Sequence, residues 1–242
     1  MVHTIWSGCA DTWARVVPFG ADMAHEELLA RTDFFADAPV EVVREIAAAA
    51  VERSLVRGDV LFHEGDVADS LYLVVSGRVA IAISNPIDQR ETVVALMDSG
   101  DLFGEMSLLD EGSRSAMARA LEPSVVFVIP FEPVANAFRS DPALLWGVCR
   151  LLAHRLRVMD EALADSVFLD VTGRTAKRLL ELSSGVDEFV LPITQEELAG
   201  MVGASRERVN KAIASFIRLG WIDQHERHYT ILKRDALELR AR

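Results

Sequence analysis

The sequence predicts an α+β protein made of an antiparallel β-roll of the jelly-roll kind, a long helix, and a winged helix-turn-helix. Three observations predict this fold. Short apolar strands separated by Gly turns fill residues 51–130, an unbroken helical pattern covers 141–169, and two short helices flank a turn at Gly203. Strands repeated at roughly 8–12 residues, without the helical spacing of βαβ units, favour a sandwich or barrel over a parallel sheet.

The charge of the chain is distributed unevenly. The 242 residues carry a net charge of −12, but residues 171–242 hold 12 basic and 10 acidic side chains, which leaves −14 for residues 1–170. A length of this size suits two domains. The C-terminal part can therefore meet phosphate groups while the acidic part faces away from them.

Several functional classes find no support in the composition. No apolar run approaches the ~18 residues of a membrane span, and no secretory signal is recognisable, so we expect a cytoplasmic protein without a membrane partner. Cys9 and Cys149 are too few for an iron–sulfur cluster and are most simply ordinary thiols, with a redox role for Cys9 as the alternative. Ser, His and Asp show no catalytic spacing and no metal-ligand cluster, so we expect neither an enzyme nor a metal site.

The first 140 residues divide into a tail, two helices and a set of strands. Residues 1–25 form an irregular tail of unknown role, and residues 26–140 form the first domain. Helical spacing covers residues 26–50, interrupted at Pro39, and a short helix is expected at Glu132–Phe138. The strands are expected at Val60–His63, Leu71–Val75, Val79–Ser84, Thr92–Met97, Ala116–Leu121 and Val125–Ile129, with a break at Asn85-Pro86.

The long helix occupies residues 141–169, with Asp141 as its cap and Pro142 at its first position. Its apolar residues step by three and four, which is typical of a coiled-coil seam. They are Val148, Leu152, Leu156, Met159 and Leu163, followed by Ser166. A helix of about 28 residues is about 42 Å long, too long for one small barrel to cover, so we expect it to pair with a second copy. The alternative is that the seam packs only on its own domain.

The last domain is expected to span residues 170–242. Asp170 caps a helix over Val171–Leu182 and marks a hinge. After the helix-turn-helix, Gly220 ends the second helix. A two-stranded wing then follows, with strands at Trp221–Asp223 and Tyr229–Leu232, and a short helix occupies residues 234–241.

The second helix of the helix-turn-helix has one apolar and one polar face. The apolar face carries Val209, Ile213, Phe216 and Ile217, which recur at helical spacing. The polar face carries side chains suited to hydrogen bonding with base edges in the major groove of double-stranded DNA. The candidate DNA-binding residues are Thr194, Ser205, Arg206, Glu207, Arg208 and Lys211.

A second candidate site lies in the first domain, in the segment from Phe103 to Ala116. Gly104 precedes a short helix, whose free N–H groups suit an anion such as phosphate. Arg114 can add a forked hydrogen bond, Ser115 a hydroxyl donor, and Glu105 an acceptor for a ribose hydroxyl. The alternative is that Arg114 only pairs with Glu105 across a strand.

Two stretches carry a resemblance to a known family. The segment FGEMSLLDEGSRSA resembles the phosphate-binding cassette of cyclic-nucleotide-binding domains. The segments FLDVTGRTAKRLL and ITQEELAGMVGASRERVNKAI resemble the CRP/FNR family of bacterial transcription regulators, especially its actinobacterial CRP-like branch. The resemblance covers residues 26–242, with motifs in both domains and in the same order.

The resemblance implies a homodimer that binds a palindrome with TGTGA-like half-sites, interacts with RNA polymerase and takes cyclic AMP as its ligand. It places Gly104 and Glu105 on ribose and phosphate, and Arg114 and Ser115 on phosphate. Lys211 stands where the family pattern has Arg, which changes the expected operator.

Another departure from the family pattern lies on the long helix. Met159 and Asp160 replace a Thr-Ser pair that contacts adenine. Loss of a buried hydrogen bond costs about 1–3 kcal/mol, so we expect weakened modulation by cyclic AMP. The alternatives are a regulator that works without a nucleotide, a redox or haem sensor in which His63 and Cys149 matter, and a ligand-sensing module that contacts a protein partner.

Overall fold

The structure is a computed structural model that describes residues 25–84 and 91–242. The predicted tail, apart from its last residue, and the predicted break at Asn85 and Pro86 lie outside the described residues. Packing divides the described chain into two compact units, with the division between Asp165 and Ser166. The first unit holds the β-roll, and the second holds the helix-turn-helix.

Two helices open the first unit: α1 (His25–Ala30) and α2 (Val40–Ala49). Pro39 immediately precedes α2 and its fixed φ suits a position at a helix start. Leu28, Leu29 and Ile46 are buried and join a core that also contains side chains of the strands. The predicted helices on both sides of Pro39 are present, but the first ends at Ala30, and residues 31–38 form turns where helical spacing was predicted.

The strands of the β-roll are β1 (Val51–Leu55), β2 (Val60–Phe62), β3 (Ser70–Ser76), β4 (Val79–Ser84), β5 (Glu91–Met97), β6 (Leu102–Phe103), β7 (Met117–Ala120) and β8 (Ser124–Pro130). They form two antiparallel four-stranded sheets, with strand orders β1-β8-β3-β6 and β2-β7-β4-β5. Most of the strands follow the predicted positions, whereas β1 and β6 were not individually predicted. The helix α3 (Met106–Asp110) lies between β6 and β7.

After the sheets come α4 (Phe131–Ser140) and the long helix α5 (Leu145–Phe168). Asp141 accepts a hydrogen bond from the N–H of Ala143 at 3.0 Å, as expected of a cap, but what it caps is a 3₁₀ turn over Pro142–Leu144. The α-helix itself begins only at Leu145. At Gly147, an added Cβ would lie 2.8 Å from the carbonyl oxygen of Phe34, so this position needs a glycine.

The predicted seam on α5 divides into two parts. Val148 is only 3 % exposed and belongs to the core of its own β-roll, so the expectation that it faces a second copy is wrong. The positions after it are open to solvent: Leu152 is 39 %, Leu156 59 %, Met159 68 % and Leu163 64 % exposed. The alternative that the whole stripe packs on its own domain is therefore also wrong.

The second unit is a helix-turn-helix with a three-stranded sheet. Its elements are α6 (Val171–Leu182), β9 (Glu188–Val190), α7 (Gln195–Val202), α8 (Arg206–Arg218), β10 (Ile222–His225), β11 (His228–Ile231) and α9 (Arg234–Arg240). The strand order is β10-β11-β9. The predicted wing is present, but its strands extend closer to the turn, and β9 adds a third strand that was not predicted. The residues of that strand lie 38–42 residues from their partners in sequence, beyond the reach of a local turn signal.

Candidate functional site

The cassette begins with a backbone conformation that only glycine adopts easily. Gly104 has φ +84°, and a Cβ at this position would lie 2.7 Å from Nη1 of Arg114. Glu105 follows it, and α3 starts at Met106. Gly104 is thus needed both for its left-handed backbone and for the close approach of the guanidinium group.

Arg114 is buried in the cassette and is 4 % exposed. Its Nη1 donates to the carbonyl oxygen of Gly104 at 3.1 Å, and its Nη2 donates to that of Ser70 at 2.7 Å. The guanidinium carbon lies 4.3 Å from the ring centroid of Phe62 and 5.3 Å from that of Tyr72. Burial lowers the pKa of Arg114 from its ordinary value, while the nearby Tyr72 and acidic groups oppose that shift.

Glu105 pairs with a residue that sequence reasoning missed. Its carboxylate is 1 % exposed, and Oε1 accepts a hydrogen bond from Nη1 of Arg155, on α5. Arg155 also donates from Nη2 to the carbonyl oxygen of Leu102 at 2.6 Å. The alternative that Arg114 pairs with Glu105 is wrong, because Arg155 is the cation that neutralises this carboxylate.

Two buried polar atoms of the cassette have no hydrogen-bond partner among the described residues. They are the acceptor Oε2 of Glu105 and the donor Nε of Arg114. Buried polar groups are rarely left unpaired, because each costs about 1–3 kcal/mol. One open donor on a cation and one open acceptor on an anion fit a ligand that carries both an anionic group and a hydroxyl.

The remaining candidate ligand residues lie at the surface. Ser115 is exposed, and its hydroxyl lies 3.7 Å from the sulfur of Met106. Met159 and Asp160 are exposed on α5, and in the described part of the chain no hydrogen bond or ion pair links them to the cassette. Within one chain, Gly104, Glu105 and Arg114 therefore come together, whereas the two helix residues do not join them.

The helix-turn-helix is built from strong local signals. Thr194 forms a capping box with Glu197 at the start of α7, and Gly203 ends that helix in the left-handed conformation. Ser205 caps α8 by accepting from the N–H of Arg208. These caps fix where both helices start.

As predicted, α8 has a buried apolar face and an exposed polar face, with one exception among the apolar residues. Val209, Ile213 and Phe216 are at most 3 % exposed, but Ile217 is 39 % exposed, and Ala212, which was not predicted to lie on this face, is buried. The side chains of the opposite face are exposed: Arg206, Glu207, Arg208, Asn210 and Lys211. Nζ of Lys211 lies 3.0 Å from Oε1 of Glu207, one turn away.

A cleft lies between the start of α7, the start of α8 and the wing. Arg206 lines it together with Thr194, Gln224 and Arg227. Arg227 is held by two hydrogen bonds to the carbonyl oxygen of Leu191, at 2.8 and 3.2 Å. The guanidinium groups of this cleft continue the polar face of α8 towards the wing.

The start of α6 is tied to the far end of the chain. Asp170 accepts a hydrogen bond from the N–H of Gly173 at 2.8 Å, and its carboxylate pairs with Arg240, on α9. Both interactions lower the pKa of Asp170, and the hydrogen bond from the backbone N–H of Gly173 has the larger effect. Arg174, one turn into α6, donates to the carbonyl oxygens of Leu169 and Val202, at 2.7 Å each.

Neither a metal-binding cluster nor a membrane-spanning helix is found among the described residues. These residues include no cluster of three or more His, Cys, Asp and Glu side chains placed to hold a metal. No helix in residues 25–84 and 91–242 combines the length and the apolar character needed to cross a membrane.

Comparison with known proteins decides the family. Residues 52–141 match the cyclic nucleotide-binding domain, and residues 173–240 match the Crp-like helix-turn-helix domain. A CRP-like cAMP-activated global transcriptional regulator of Mycobacterium tuberculosis is 34 % identical over 224 residues, which are 90 % of this chain and the whole of that protein. The chain belongs to the CRP/FNR family of transcription regulators. The predicted resemblance is confirmed.

A further relative and two solved structures are similar to this chain. The cyclic AMP receptor protein of Thermus thermophilus is 36 % identical over 184 residues, 76 % of this chain and 84 % of that protein. The structure of the c-di-GMP responsive regulator CLP of Xanthomonas campestris is similar with a TM-score of 0.68 at 26 % identity, covering 80 % of this chain and 99 % of that one. FixK2 of Bradyrhizobium japonicum, at 22 % identity and TM-score 0.69, shares the fold over 78 % of this chain and 96 % of its own.

Membership of the CRP/FNR family fixes the coarse function. This chain is a CRP-like transcription regulator with a cyclic nucleotide-binding domain and a DNA-binding helix-turn-helix. Arg155 and Arg174 were missed because their partners lie 50 and 28 residues away in sequence, where no local pattern connects them.

Proposed function

We propose that this regulator acts as a homodimer that binds palindromic double-stranded DNA through α8 and responds weakly to cyclic AMP. The observation that carries the proposal is the polar face of α8, where Arg206, Glu207 and Lys211 are exposed while the opposite face is buried. Arg, Lys and Glu are side chains that read guanine and cytosine in the major groove. A helix presented in this way suits base-edge contacts.

Contacts to the DNA backbone complete the proposed interface. Thr194 and Ser205 lie at the starts of α7 and α8, where N–H groups suit phosphate. Arg208 is exposed one turn beyond the cap of α8. These three residues would set the orientation of the helix on the duplex, since phosphate contacts position a protein without reading sequence.

The dimer rests on the open part of the α5 seam. Leu152, Leu156, Met159 and Leu163 form a continuous apolar stripe that is 39–68 % exposed. Such a stripe on a soluble helix is costly unless another surface covers it, and its spacing suits an identical helix. Two copies would present two α8 helices, which must lie about 34 Å apart to meet successive major-groove faces.

The nucleotide site is proposed at the cassette. The open Nε of Arg114 and the hydroxyl of Ser115 would donate to the cyclic phosphate, and the open Oε2 of Glu105 would accept from the ribose hydroxyl. Gly104 lets the backbone approach. A bound cyclic nucleotide supplies a negative charge and a hydroxyl, and with them the missing partners of both buried atoms.

The residues expected beside the adenine base support a weak effect of cyclic AMP on DNA affinity. Met159 has no hydroxyl, and Asp160 offers only acceptors when ionised, so neither provides the donor–acceptor pair of a Thr-Ser dipeptide. A nucleotide shifts a conformational balance only by its differential affinity for the two states. A regulator that reaches its DNA-competent state without nucleotide is the second candidate, and the same two residues favour it.

The proposed domain organisation follows from these roles. Residues 26–140 sense the ligand, 141–169 dimerise and 170–242 bind DNA, with the role of 1–25 unassigned. We further propose that the regulator works in the cytoplasm, where DNA and RNA polymerase are its partners.

Fluorescence anisotropy on a palindromic operator with TGTGA-like half-sites tests the proposal. We expect specific binding without nucleotide, tightened by less than about tenfold when cyclic AMP is added. A hundredfold gain would contradict the weak modulation. Equal affinity for the operator and a scrambled duplex would contradict the DNA-reading role of α8.

A further inference from the structure

The open seam on α5 has a definite register. Leu152, Leu156, Met159 and Leu163 step by four, three and four, which assigns Leu156 and Leu163 to coiled-coil positions a and Leu152 and Met159 to positions d. All four are exposed, so the assignment uses only residues that their own β-roll leaves uncovered.

Two charged residues flank this seam on opposite sides. Arg155 precedes an a position and is therefore at g, and Asp160 follows a d position and is therefore at e. Residues at e and g of paired helices form salt bridges between the helices. In a parallel pair in register, a g residue faces the e residue five positions later on the other helix, which is the separation between Arg155 and Asp160.

Both side chains are available for such a contact. The side chain of Arg155 is 30 % exposed, and two of its nitrogens hold Glu105 and Leu102, which leaves further N–H donors of its five. Asp160 is exposed, and its carboxylate has no hydrogen bond or ion pair with any of the described residues. The other charged residues of this stretch, Arg157 and Glu161, take positions b and f and point away from the seam.

We propose that Arg155 of each subunit forms an ion pair with Asp160 of the partner subunit. The proposal rests on the homodimer of the proposed function and deepens it, because Arg155 would then connect the Glu105 of its own cassette to the partner's helix. Two-fold symmetry gives two such pairs per dimer. The pairing also gives Asp160 a cation as its partner, so its carboxylate is not free for the amine of an adenine base.

Charge changes at Asp160 test the pairing in the full chain. Asp160→Arg places like charges opposite each other, and we expect the dimer dissociation constant to rise about tenfold by sedimentation equilibrium, since two exposed pairs are reversed. Asp160→Asn only removes the attraction and should raise the dimer dissociation constant about threefold. Glu161→Arg makes the same charge change one residue away, at position f, and should alter it by less than about twofold.

The same substitutions in a chain that lacks Arg155 show whether Arg155 is the partner of Asp160. In Arg155→Gln, the effect of Asp160→Arg is expected to fall to that of Glu161→Arg, because the opposing cation is gone. Circular dichroism melts check that each variant is folded, and Asp160→Asn provides the same test if the arginine variant is not.

The outcomes separate the pairing from the dimer. If the wild-type chain dimerises and Asp160→Arg behaves like Glu161→Arg, or keeps its full effect in Arg155→Gln, the pairing is wrong and the dimer stands. A wild-type chain that remains monomeric at micromolar concentration overturns both.

Discussion

Arg240 reaches back across 70 residues to pair with Asp170, so the last helix of the chain holds the cap of the first helix of the DNA-binding unit. The carboxylate of Asp170 makes two interactions here. It accepts a hydrogen bond from the N–H of Gly173, and it forms an ion pair with Arg240. The start of α6 is therefore stabilised by a local hydrogen bond and by a long-range ion pair, and each can be removed separately.

The pH dependence of stability should reveal the ion pair. Because the pKa of Asp170 is lowered in the folded state, its contribution is fully present above its unfolded pKa of about 3.9 and is lost as pH falls through the folded value. Asp170→Asn keeps a capping side chain but not the charge. We expect it to lower the melting temperature at pH 7, and we expect the difference from wild type to shrink as the pH falls below about 3.9. Glu238→Gln, on the exposed side of α9, removes one carboxylate outside the pair and serves as the control.

Arg206→Ala should weaken binding to the operator by about 1–3 kcal/mol per contacted base pair, because it removes the guanidinium group that is proposed to read a guanine edge. Anisotropy titrations with operator and scrambled duplexes measure the loss of specificity. Arg218→Ala removes another exposed cation, from the last turn of the same helix, and should leave the operator preference unchanged. Equal losses in the two variants would assign Arg206 to non-specific attraction only.

Lys211→Arg is expected to tighten binding to operators with a guanine at the contacted position. A guanidinium group donates in a planar fork to the two acceptors of guanine, whereas the ammonium group of Lys211 is a point charge and already contacts Glu207 at 3.0 Å. Competition between operators that differ at one base pair measures the change. An unchanged preference across all four bases would show that this residue contacts only the backbone.

Gly104→Ala should lower both the stability of the β-roll and its affinity for cyclic AMP, because the new methyl group would lie 2.7 Å from Nη1 of Arg114. Gly58→Ala is a matched control, with a similar φ of +92° but nothing within 4 Å of the added carbon. Each variant incurs a left-handed backbone cost of about 1 kcal/mol, so the difference between them reports the contact with the guanidinium group. Thermal melts and calorimetric titration with cyclic AMP measure both effects, and equal behaviour of the two variants would contradict the role assigned to Arg114.

Local signals made most of the fold predictable. Asp141 and Asp170 were recognised as caps, and each accepts a backbone hydrogen bond in the structure because capping depends on residues two or three positions away. In contrast, β6 has two residues and β9 three, too few for a periodic pattern to develop. Val148 shows another limit, since the spacing of a stripe does not reveal whether its first residue faces its own core or solvent.

The candidate site was predictable in composition but not in its connections. Gly104, Glu105 and Arg114 could be selected from one continuous segment. Their pairing could not, because Arg114 reaches the carbonyl oxygen of Ser70 and Glu105 meets Arg155, contacts that only the closed β-roll creates. The surface positions of Met159 and Asp160 likewise follow from packing, not from spacing alone.

The burial of Arg114 determines which ligand-insensitive variants a genetic selection can yield. The same side chain donates to two backbone carbonyl oxygens and lies over the ring of Phe62. Its loss would therefore lower the amount of folded protein, in addition to removing the proposed phosphate donor. A selection for ligand-blind but abundant regulator should therefore return substitutions at the exposed Ser115 rather than at Arg114. Alleles of Arg114 should instead resemble a gene deletion, with little soluble product in the cell.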